Sequence, residues 1–317
     1  AAVAVSAAGS YVDQRQAHQL ASTGDIDLAM LGLEAQAFFD GQTEEVLADL
    51  VAAGSSGGAR PKAQFYISPD EPDRCRTVAR TGDEAWLVKF TSRNLPLGHE
   101  EGLCEAVYLH LAGKLGLEPP EWRLFEAPEQ SGARAWLGVK RFDWISRHQK
   151  AGRSHMHSAC GLLDADFRTP SLDYEDLIKV SRHLCRSPAV GKLQFRRAMF
   201  NLFACNQDDH SKNWAFLQDD AGEWTPAPFY DVTFSPHPYQ EHATAYAGFG
   251  KNPPLKAIRV LAARAGYAKW EQAKHDIDEI VDVLGDFAVI AREFGVDSGV
   301  AELIDRQLAG LRDGYEG

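Results

Sequence analysis

Residues 206–213 read NQDDHSKN and follow directly on FNLFAC, an apolar stretch with the character of a helix end. Within this polar segment, Asp208 and Asn213 stand in the spacing D-x-x-x-x-N. A carboxylate can accept a proton from a reacting hydroxyl group, and an amide oxygen is a hard ligand for a divalent cation. The pattern is short, and taken alone it is better explained by a polar loop in which Asp208 or Asp209 caps the helix.

A third side chain makes the pattern more specific. Asp231, in FYDVTFS, lies eighteen residues after Asn213 and beyond a predicted hairpin. Protein kinases place D-x-x-x-x-N in their catalytic loop, and their metal-binding Asp follows a short hairpin in the same way. Two oxygen ligands from separate loops can hold Mg²⁺ while the phosphates of a nucleotide complete its coordination. With Asp231 included, a phosphotransfer site and a simple polar loop are about equally supported.

Lys89 lies in AWLVKF, residues 85–90, a stretch with the composition of a buried strand. A lysine in such a strand costs desolvation energy unless it is paired or binds an anion. The phosphate-binding lysine of kinases stands in a similar V-A-I-K context and pairs with a glutamate on the next helix. Glu105, sixteen residues later, is the expected partner, with Glu100 and Glu101 as competitors. The alternative is an edge-strand lysine that points into water.

The segment GSSGGARPK, residues 54–62, is a glycine-rich loop before a predicted strand. It lacks the Walker and G-x-G-x-x-G patterns. Its first five residues match the nucleophile elbow G-x-S-x-G, but a helix precedes and a strand follows, which is the reverse of the order an elbow needs. Such a loop can present backbone N–H groups to phosphate, with Arg60 or Lys62 adding charge. A flexible connection is the alternative.

Histidine and cysteine residues give only weak metal signals. The five cysteines form no C-x-x-C pair, which argues against a disulfide framework and against a cysteine-based zinc site. SHMHSACG, residues 154–161, places His155, His157 and Cys160 close together, but no second ligand group accompanies them. We therefore expect this segment to be a mobile loop that reaches towards the substrate.

The predicted elements indicate an α+β fold with two parts. A β-rich part, residues 1–143, contains a helical stretch (24–53, with Thr43 as a cap), strands at 63–67, 85–90, 122–127 and 134–142, and a helix at 100–115. A mainly helical part, residues 144–317, contains helices at 174–186, 190–205 and 269–292 and a hairpin formed by 213–218 and 224–231.

Composition excludes some classes of protein. The chain has 317 residues with 33 Lys and Arg against 45 Asp and Glu, a formal net charge of −12. Independent binding to the DNA backbone needs a cationic face, so this charge argues against it. No stretch has the roughly 20 apolar residues that a membrane helix needs. With its unpaired cysteines, the chain is expected in a reducing cytoplasm.

Taken together, these segments resemble the HipA family of serine/threonine protein kinases, the toxins of bacterial toxin–antitoxin modules. The resemblance covers roughly residues 54–290 and rests on SSGGARPK (55–62), WLVKF (86–90), LAGKLGL (111–117), VKRFD (139–143), NQDDHSKN (206–213) and FYDVTFSP (229–236). It implies a two-lobed protein-kinase-like fold, with a small β-rich N-lobe and a larger, mainly helical C-lobe.

The resemblance also implies catalytic roles, with ATP and Mg²⁺ as cofactors. Asp208 would be the catalytic base, with His210 in the same loop. Asn213 and Asp231 would bind Mg²⁺, and Lys89, oriented by Glu105, would contact the phosphates. Further nucleotide contacts fall on Ser56, Gly57, Gly58, Lys62, Lys140, Phe142, Asp143, Lys212 and Tyr230.

Among these nucleotide contacts, the resemblance places the backbone of Lys140 and Phe142 beside adenine and Asp143 near the ribose. Autophosphorylation at Ser55 or Ser56 would eject the glycine-rich loop and silence the enzyme.

Partners follow from the same resemblance. The substrate would be a protein serine, for example in an aminoacyl-tRNA synthetase, and a helix-turn-helix antitoxin would supply the only link to DNA. Family members carry a larger N-terminal subdomain than the roughly fifty residues that precede the loop here. That part is either shortened or supplied by a separate small protein. A small-molecule phosphotransferase and an inert scaffold that binds nucleotide or antitoxin remain alternatives.

Overall fold

The computed structural model describes residues 3–5, 11–13, 27–41, 61–147, 150–166 and 172–316. Contacts divide the chain into two compact units. The sheet unit comprises Ala1–Ala106 and Glu121–Arg153, and the helical unit comprises Val107–Pro120 and Ser154–Gly317. Trp144 belongs to the sheet unit, where it packs on Tyr66 and its indole N–H donates to the carbonyl of Asp83 at 3.2 Å.

The sheet unit is built around a five-stranded antiparallel sheet in the order β4-β3-β5-β7-β6. Two further hairpins pair β1 with β2 and β8 with β9. The elements are β1 Val3–Val5, β2 Tyr11–Asp13, α1 Leu28–Phe39, β3 Lys62–Ser68, β4 Glu71–Arg76, β5 Glu84–Lys89, α2 Glu101–Lys114, β6 Trp122–Glu126, β7 Ala135–Lys140, β8 Trp144–Arg147 and β9 Lys150–Arg153. Helix α2 begins in this unit, and its residues from Val107 onwards belong to the helical unit.

The four strands and the helix predicted around the sheet are confirmed, and α2 is followed by Gly116 with a left-handed φ of +63°. Helix α1 confirms part of the stretch predicted at 24–53, while Thr43 lies outside the described residues. Strand β4 was not predicted, because it contains Pro72 and proline is uncommon in strands. An edge strand tolerates proline, since one side of its backbone needs no partner.

One face of the sheet forms an apolar core with helix α1. Alternate residues of β3 are buried, as expected for a strand with one face on the core. The core contains Leu31, Ala35, Ala63, Phe65, Ile67, Cys75, Trp86, Val88, Phe90, Ala133 and Trp136. The ring of Trp136 packs edge-on against Phe90, with centroids 5.0 Å apart.

Gly32 allows α1 to approach this core closely. A Cβ atom at this position would lie 2.1 Å from the ring of Trp136. We expect Gly32→Ala to lower the free energy of unfolding by about 1–3 kcal/mol through overpacking. Gly113→Ala in α2 is the control, because its Cβ would meet only Pro119 at 3.7 Å and should add up to about 1 kcal/mol of helix stability. Urea unfolding of both variants checks this, and a stabilised Gly32→Ala protein would contradict the packing.

The helical unit combines a three-stranded antiparallel sheet, in the order β10-β11-β12, with the remaining helices. Its elements are β10 His155–Ser158, α3 Ala159–Leu162, α4 Tyr174–Cys185, α5 Pro188–Phe203, β11 Ala215–Gln218, β12 Trp224–Pro226, α6 Leu255–Ala265, α7 Trp270–Gly285, α8 Phe287–Glu293 and α9 Ser298–Glu316. The α+β class, the helices predicted at 174–186 and 190–205 and the β11–β12 hairpin are confirmed.

Two predictions in the helical unit need correction, and two helices were missed. The helix expected at 269–292 is two helices, separated at Asp286. The segment with His155 and His157, expected to be a mobile loop, is strand β10, which pairs with β11. Helices α6 and α9 were not predicted at all. Among the described helices, none is long and apolar enough to span a bilayer.

Candidate functional site

The polar loop 206–213 lies alongside the segment that carries Asp231. At one end, Asn206 forms a parallel bridge with Ser235, and the N–H of Gln207 donates to the Ser235 carbonyl at 3.2 Å. At the other end, the hydroxyl of Tyr230 donates to the carbonyl of Lys212 at 2.6 Å. These contacts hold both ends of the two segments together. The three residues singled out from the sequence therefore belong to one local substructure of the helical unit.

Asp208 presents its carboxylate to solvent. Its side chain is 71% exposed, and its backbone N–H donates to the Ser235 hydroxyl at 3.2 Å. His210 approaches the carboxylate, with Nε2 3.7 Å from Oδ1. An accessible carboxylate on a backbone that is fixed by hydrogen bonds has the geometry of a proton acceptor for an incoming hydroxyl group.

Asn213 and Asp231 offer the oxygen atoms that a hard cation prefers. The side-chain amide N–H of Asn213 donates to the carbonyl of Asp208 at 3.1 Å, and the amide oxygen takes no part in this hydrogen bond. Asp231 has a left-handed backbone with φ +58°, unusual outside glycine. An amide oxygen and a carboxylate fit Mg²⁺, provided that phosphate oxygens supply further ligands. Within the described residues, no group of three or more His, Cys, Asp or Glu side chains could hold a metal ion by itself.

Tyr230 joins the two segments as a neutral group. Burial raises the pKa of its hydroxyl well above the usual value, and electrostatic interactions with Asp231 and Cys160 add to the effect. The hydroxyl therefore stays protonated at physiological pH and keeps donating to the carbonyl of Lys212. Lys212 itself is exposed.

Asp209 anchors the same loop in the protein interior. Its buried carboxylate accepts a hydrogen bond from the hydroxyl of Tyr174 at 2.5 Å and from the N–H of Thr244 at 3.2 Å, and it contacts His242 Nδ1 at 2.9 Å. Burial, followed by the charge of Asp209, raises the pKa of Tyr174 well above its usual value. Sequence reasoning gave Asp209 only a capping role and missed its partners, because they lie more than thirty residues away.

The adjacent Asp208 and Asp209 therefore differ sharply in their environment, since the first is exposed and the second is buried. We expect Asp209→Ala to lower the free energy of unfolding by about 3–5 kcal/mol, because it leaves several buried donors without an acceptor. Asp208→Ala should change it by less than about 0.5 kcal/mol, as is usual for an exposed side chain. Chemical denaturation of the two variants side by side measures both values. Equal losses would contradict the opposite environments of the two carboxylates.

Lys89 and Glu105 form a buried ion pair in the sheet unit. Lys89 Nζ lies 2.6 Å from Glu105 Oε1, and the side chains are 9% and 1% exposed. The competitor Glu101 accepts from the backbone N–H of Leu97 at 3.2 Å. Burying two charges costs several kcal/mol of desolvation, which the attraction within the pair only partly offsets. Stability alone therefore gives little reason for such a pair. A lysine that is held in place by a glutamate is instead suited to binding an anion.

A second lysine stands next to this pair. Strand register puts Lys62 of β3 directly opposite Lys89 of β5, so the two side chains leave the same face of the sheet. Leu87 and Val139 are paired on that face as well, one position further along. The face therefore combines two ammonium groups with apolar side chains. The ammonium groups suit the phosphates of a nucleotide, and the apolar side chains suit its planar base.

Other predicted nucleotide contacts have different surroundings. Lys140 pairs with Trp86 on the opposite face, and its ammonium group binds Glu84 at 2.6 Å and Glu121 at 2.8 Å. Its backbone N–H already donates to the carbonyl of Glu121. The carboxylate of Asp143 accepts two hydrogen bonds from Arg141, at 2.8 and 2.6 Å. The amide and ammonium groups of Lys140 thus have partners within the sheet unit, and Phe142 and Asp143 follow directly after it in the chain. Ser55, Ser56, Gly57 and Gly58 lie outside the described residues.

A sheet unit with a buried lysine–glutamate pair, and a helical unit with an acidic loop beside a second acid, define an α+β protein with a protein-kinase-like fold. The model of the HipA-like C-terminal domain matches residues 54–288, and the chain belongs to that family.

Two curated relatives carry kinase names. "Putative kinase Y4mE" of Sinorhizobium fredii is 31% identical over 140 residues, which are 40% of this chain and 31% of the relative. A "Putative kinase" of Haemophilus influenzae is 26% identical over 255 residues, 78% of this chain and 67% of the relative. The chain thus spans about a third of the first relative and two thirds of the second.

A solved structure has the same fold. It is a chain of the Shewanella oneidensis MR-1 toxin–antitoxin complex of HipA, HipB and operator DNA, with a TM-score of 0.60 at 19% identity. The match covers 83% of this chain and 65% of that one. At this level of identity the likeness establishes the fold, and it confirms the predicted protein-kinase-like class.

Proposed function

We propose that this protein is a HipA-like serine/threonine protein kinase, which transfers the γ-phosphoryl group of ATP to a serine hydroxyl of another protein. The observation that carries the proposal is the buried pair of Lys89 and Glu105 at 2.6 Å. Protein kinases use such a pair to position the nucleotide phosphates. Membership of the HipA-like family and the kinase names of two relatives support the same reaction.

The proposed reaction assigns each residue a task. Asp208 accepts the proton of the serine hydroxyl as the oxygen attacks the γ-phosphorus, the bond to the bridging oxygen breaks, and ADP leaves. His210 stands beside this carboxylate. Asn213 and Asp231 would hold Mg²⁺, which when bound neutralises phosphate charge. Catalysis of this kind depends mainly on positioning and electrostatic stabilisation.

Further side chains are proposed to take part in nucleotide binding. Lys89 and Lys62 would bind phosphate oxygens together with the loop of Ser56, Gly57 and Gly58, and Lys212 would add charge near the phosphates. The backbone of Phe142 is proposed to contact adenine and Asp143 the ribose. The backbone of Lys140 is proposed to contact adenine as well, while its ammonium group stays bound to Glu84 and Glu121.

We further propose the partners that a HipA-like toxin would need. A helix-turn-helix antitoxin would bind the protein and supply the only contact with DNA, since the chain has a net charge of −12. The matched structure, a complex of HipA with HipB and operator DNA, supports this partner. The substrate is proposed to be a cytoplasmic translation factor such as an aminoacyl-tRNA synthetase.

Labelling a bacterial lysate with γ-labelled ATP tests the reaction. Wild-type protein should label a protein substrate, and Asp208→Asn protein should not. Label found in a small molecule instead would favour a small-molecule phosphotransferase. Binding of Mg-ATP without any transfer, to lysate or to the protein itself, would leave the scaffold as the explanation.

Autophosphorylation in the glycine-rich loop gives a separate prediction. We expect Ser55→Ala to leave the initial rate of transfer unchanged and to prolong activity, since Ser55 performs none of the proposed chemistry. A time course of substrate labelling after preincubation with ATP measures this, with mass spectrometry locating phosphate on Ser55 or Ser56. Equal inactivation of wild type and variant, with phosphate found on neither serine, would contradict it.

A further inference from the structure

The helical unit contains a cavity of about 530 Å³ that the proposed reaction does not use. Its walls come from the loop before Asp208, from residues 234–242 and from helix α9. The volume falls within the roughly 300–1,000 Å³ of typical ligand pockets. It is therefore large enough to hold several side chains of a bound peptide.

The cavity has a positive bias in an acidic protein. Fifteen described residues line it and none of them is Asp or Glu, although acids outnumber Lys and Arg by 45 to 33 in the chain. Arg306 on α9 contributes a full positive charge and forms no ion pair with a described residue. Gln207, Gln240 and Gln307 add side-chain N–H donors. These groups favour a ligand that carries carboxylates.

Apolar side chains share the lining with these donors. Leu202, Phe234, Leu303 and Leu311 lie along the cavity. A free inorganic anion would leave these apolar surfaces uncovered, whereas a peptide with both acidic and apolar side chains could cover them and gain burial energy. The mixed lining therefore favours an acidic peptide segment over a small anion.

The cavity walls are hydrogen-bonded to the loop that carries the proposed base. The side-chain oxygen of Gln207, next to Asp208, accepts from the backbone N–H of His237 at 2.7 Å. His242 contacts the Asp209 carboxylate at 2.9 Å. A peptide seated here would thus lie against Gln207, which precedes Asp208 in the chain, and against His242, which contacts Asp209.

We propose that this cavity binds an acidic segment of the protein substrate, near the serine that receives the phosphoryl group. The substrate role rests on the proposed kinase function, whereas the binding preference rests on the cavity alone. Proteins with acidic and apolar residues flanking a serine would then be selected over those with basic flanks.

Binding of three labelled octapeptides to the full chain, without ATP, tests the proposal. The peptides alternate leucine with glutamate, glutamine or lysine, and fluorescence anisotropy measures their affinity. We expect the Leu–Glu peptide to bind at least about fivefold more tightly than the Leu–Gln peptide, and its affinity to fall with added salt. The Leu–Lys peptide should bind most weakly.

Charge substitutions locate the site. Arg306→Glu and Gln307→Glu should each weaken binding of the Leu–Glu peptide by about fivefold or more, because both place a carboxylate on the cavity wall. Lys256→Glu is the matched control, since this exposed lysine of α6 lies outside the lining. Thermal melting should show that all three variants are folded, because the substituted positions are exposed.

The outcomes separate the two proposals. Equal affinity for the three peptides, preference for the Leu–Lys peptide, or undiminished binding by Arg306→Glu would overturn the cavity assignment. Asp208→Asn protein should bind the Leu–Glu peptide as wild type does. Selective peptide binding by a protein that transfers no phosphate would overturn the kinase proposal and the substrate role, and would retain the cavity as a peptide site.

Discussion

Asp208→Asn is expected to lower the rate of phosphoryl transfer by about a hundred- to ten-thousandfold, the range associated with loss of a general base. An amide of the same shape cannot accept the hydroxyl proton. The initial rate of substrate labelling by ATP measures the effect. Because the Asp208 side chain is 71% exposed, the melting temperature and the affinity for ATP should stay close to the wild-type values.

Asp220→Asn provides the control for Asp208→Asn. Asp220 is an exposed acid in the turn between β11 and β12, so the same loss of charge occurs away from the proposed site. Its rate should equal that of the wild type. If Asp208→Asn transferred phosphate within about threefold of the wild-type rate, Asp208 would not be the base.

Lys89→Met is expected to lower kcat/KM for ATP by at least about a hundredfold and also to destabilise the protein. It removes a positive charge that is proposed to stabilise the phosphates, which accounts for the kinetic loss. It also leaves Glu105 buried without its cation, at a cost of about 3–5 kcal/mol in the free energy of unfolding. Steady-state kinetics and chemical denaturation measure the two effects separately.

A double variant distinguishes a functional pair from a structural one. Lys89→Met combined with Glu105→Leu removes both buried charges, so it should recover most of the lost stability. Activity should remain as low as in Lys89→Met alone. Recovery of activity together with stability would show that Lys89 acts only through folding, and it would remove the main support for the proposed function.

Much of the candidate site could be predicted because its signals are local. Lys89 stands out as a charge within six strand residues, and Glu105 follows on the next helix. Asp208 and Asn213 are recognisable by their spacing within one loop. The buried partners of Asp209 could not be found in this way, because Tyr174 and His242 are distant in the chain and their types are common in apolar cores.

Helix α6 carries a clear local signal that the prediction overlooked. Its buried residues follow helical spacing, and Gly266 ends it with a φ of +95°. Strand β4 has no such signal, because it is stabilised by pairing with β3 and contains a proline. The ion pairs of Lys140 could not be predicted from the motif VKRFD, because Glu84 and Glu121 lie 56 and 19 residues away in the chain.

The amino-acid sequence by itself determined the α+β class, the net charge and the spacing of the candidate site residues, since these depend on composition and on short-range periodicity. The tertiary structure decided which of two adjacent aspartates is buried, that Lys62 faces the same way as Lys89, and that α9 forms one wall of a cavity without acids. These features depend on strand register and on contacts between residues far apart in the chain. Many arrangements satisfy the local preferences equally well, and only the packing of the whole chain selects among them.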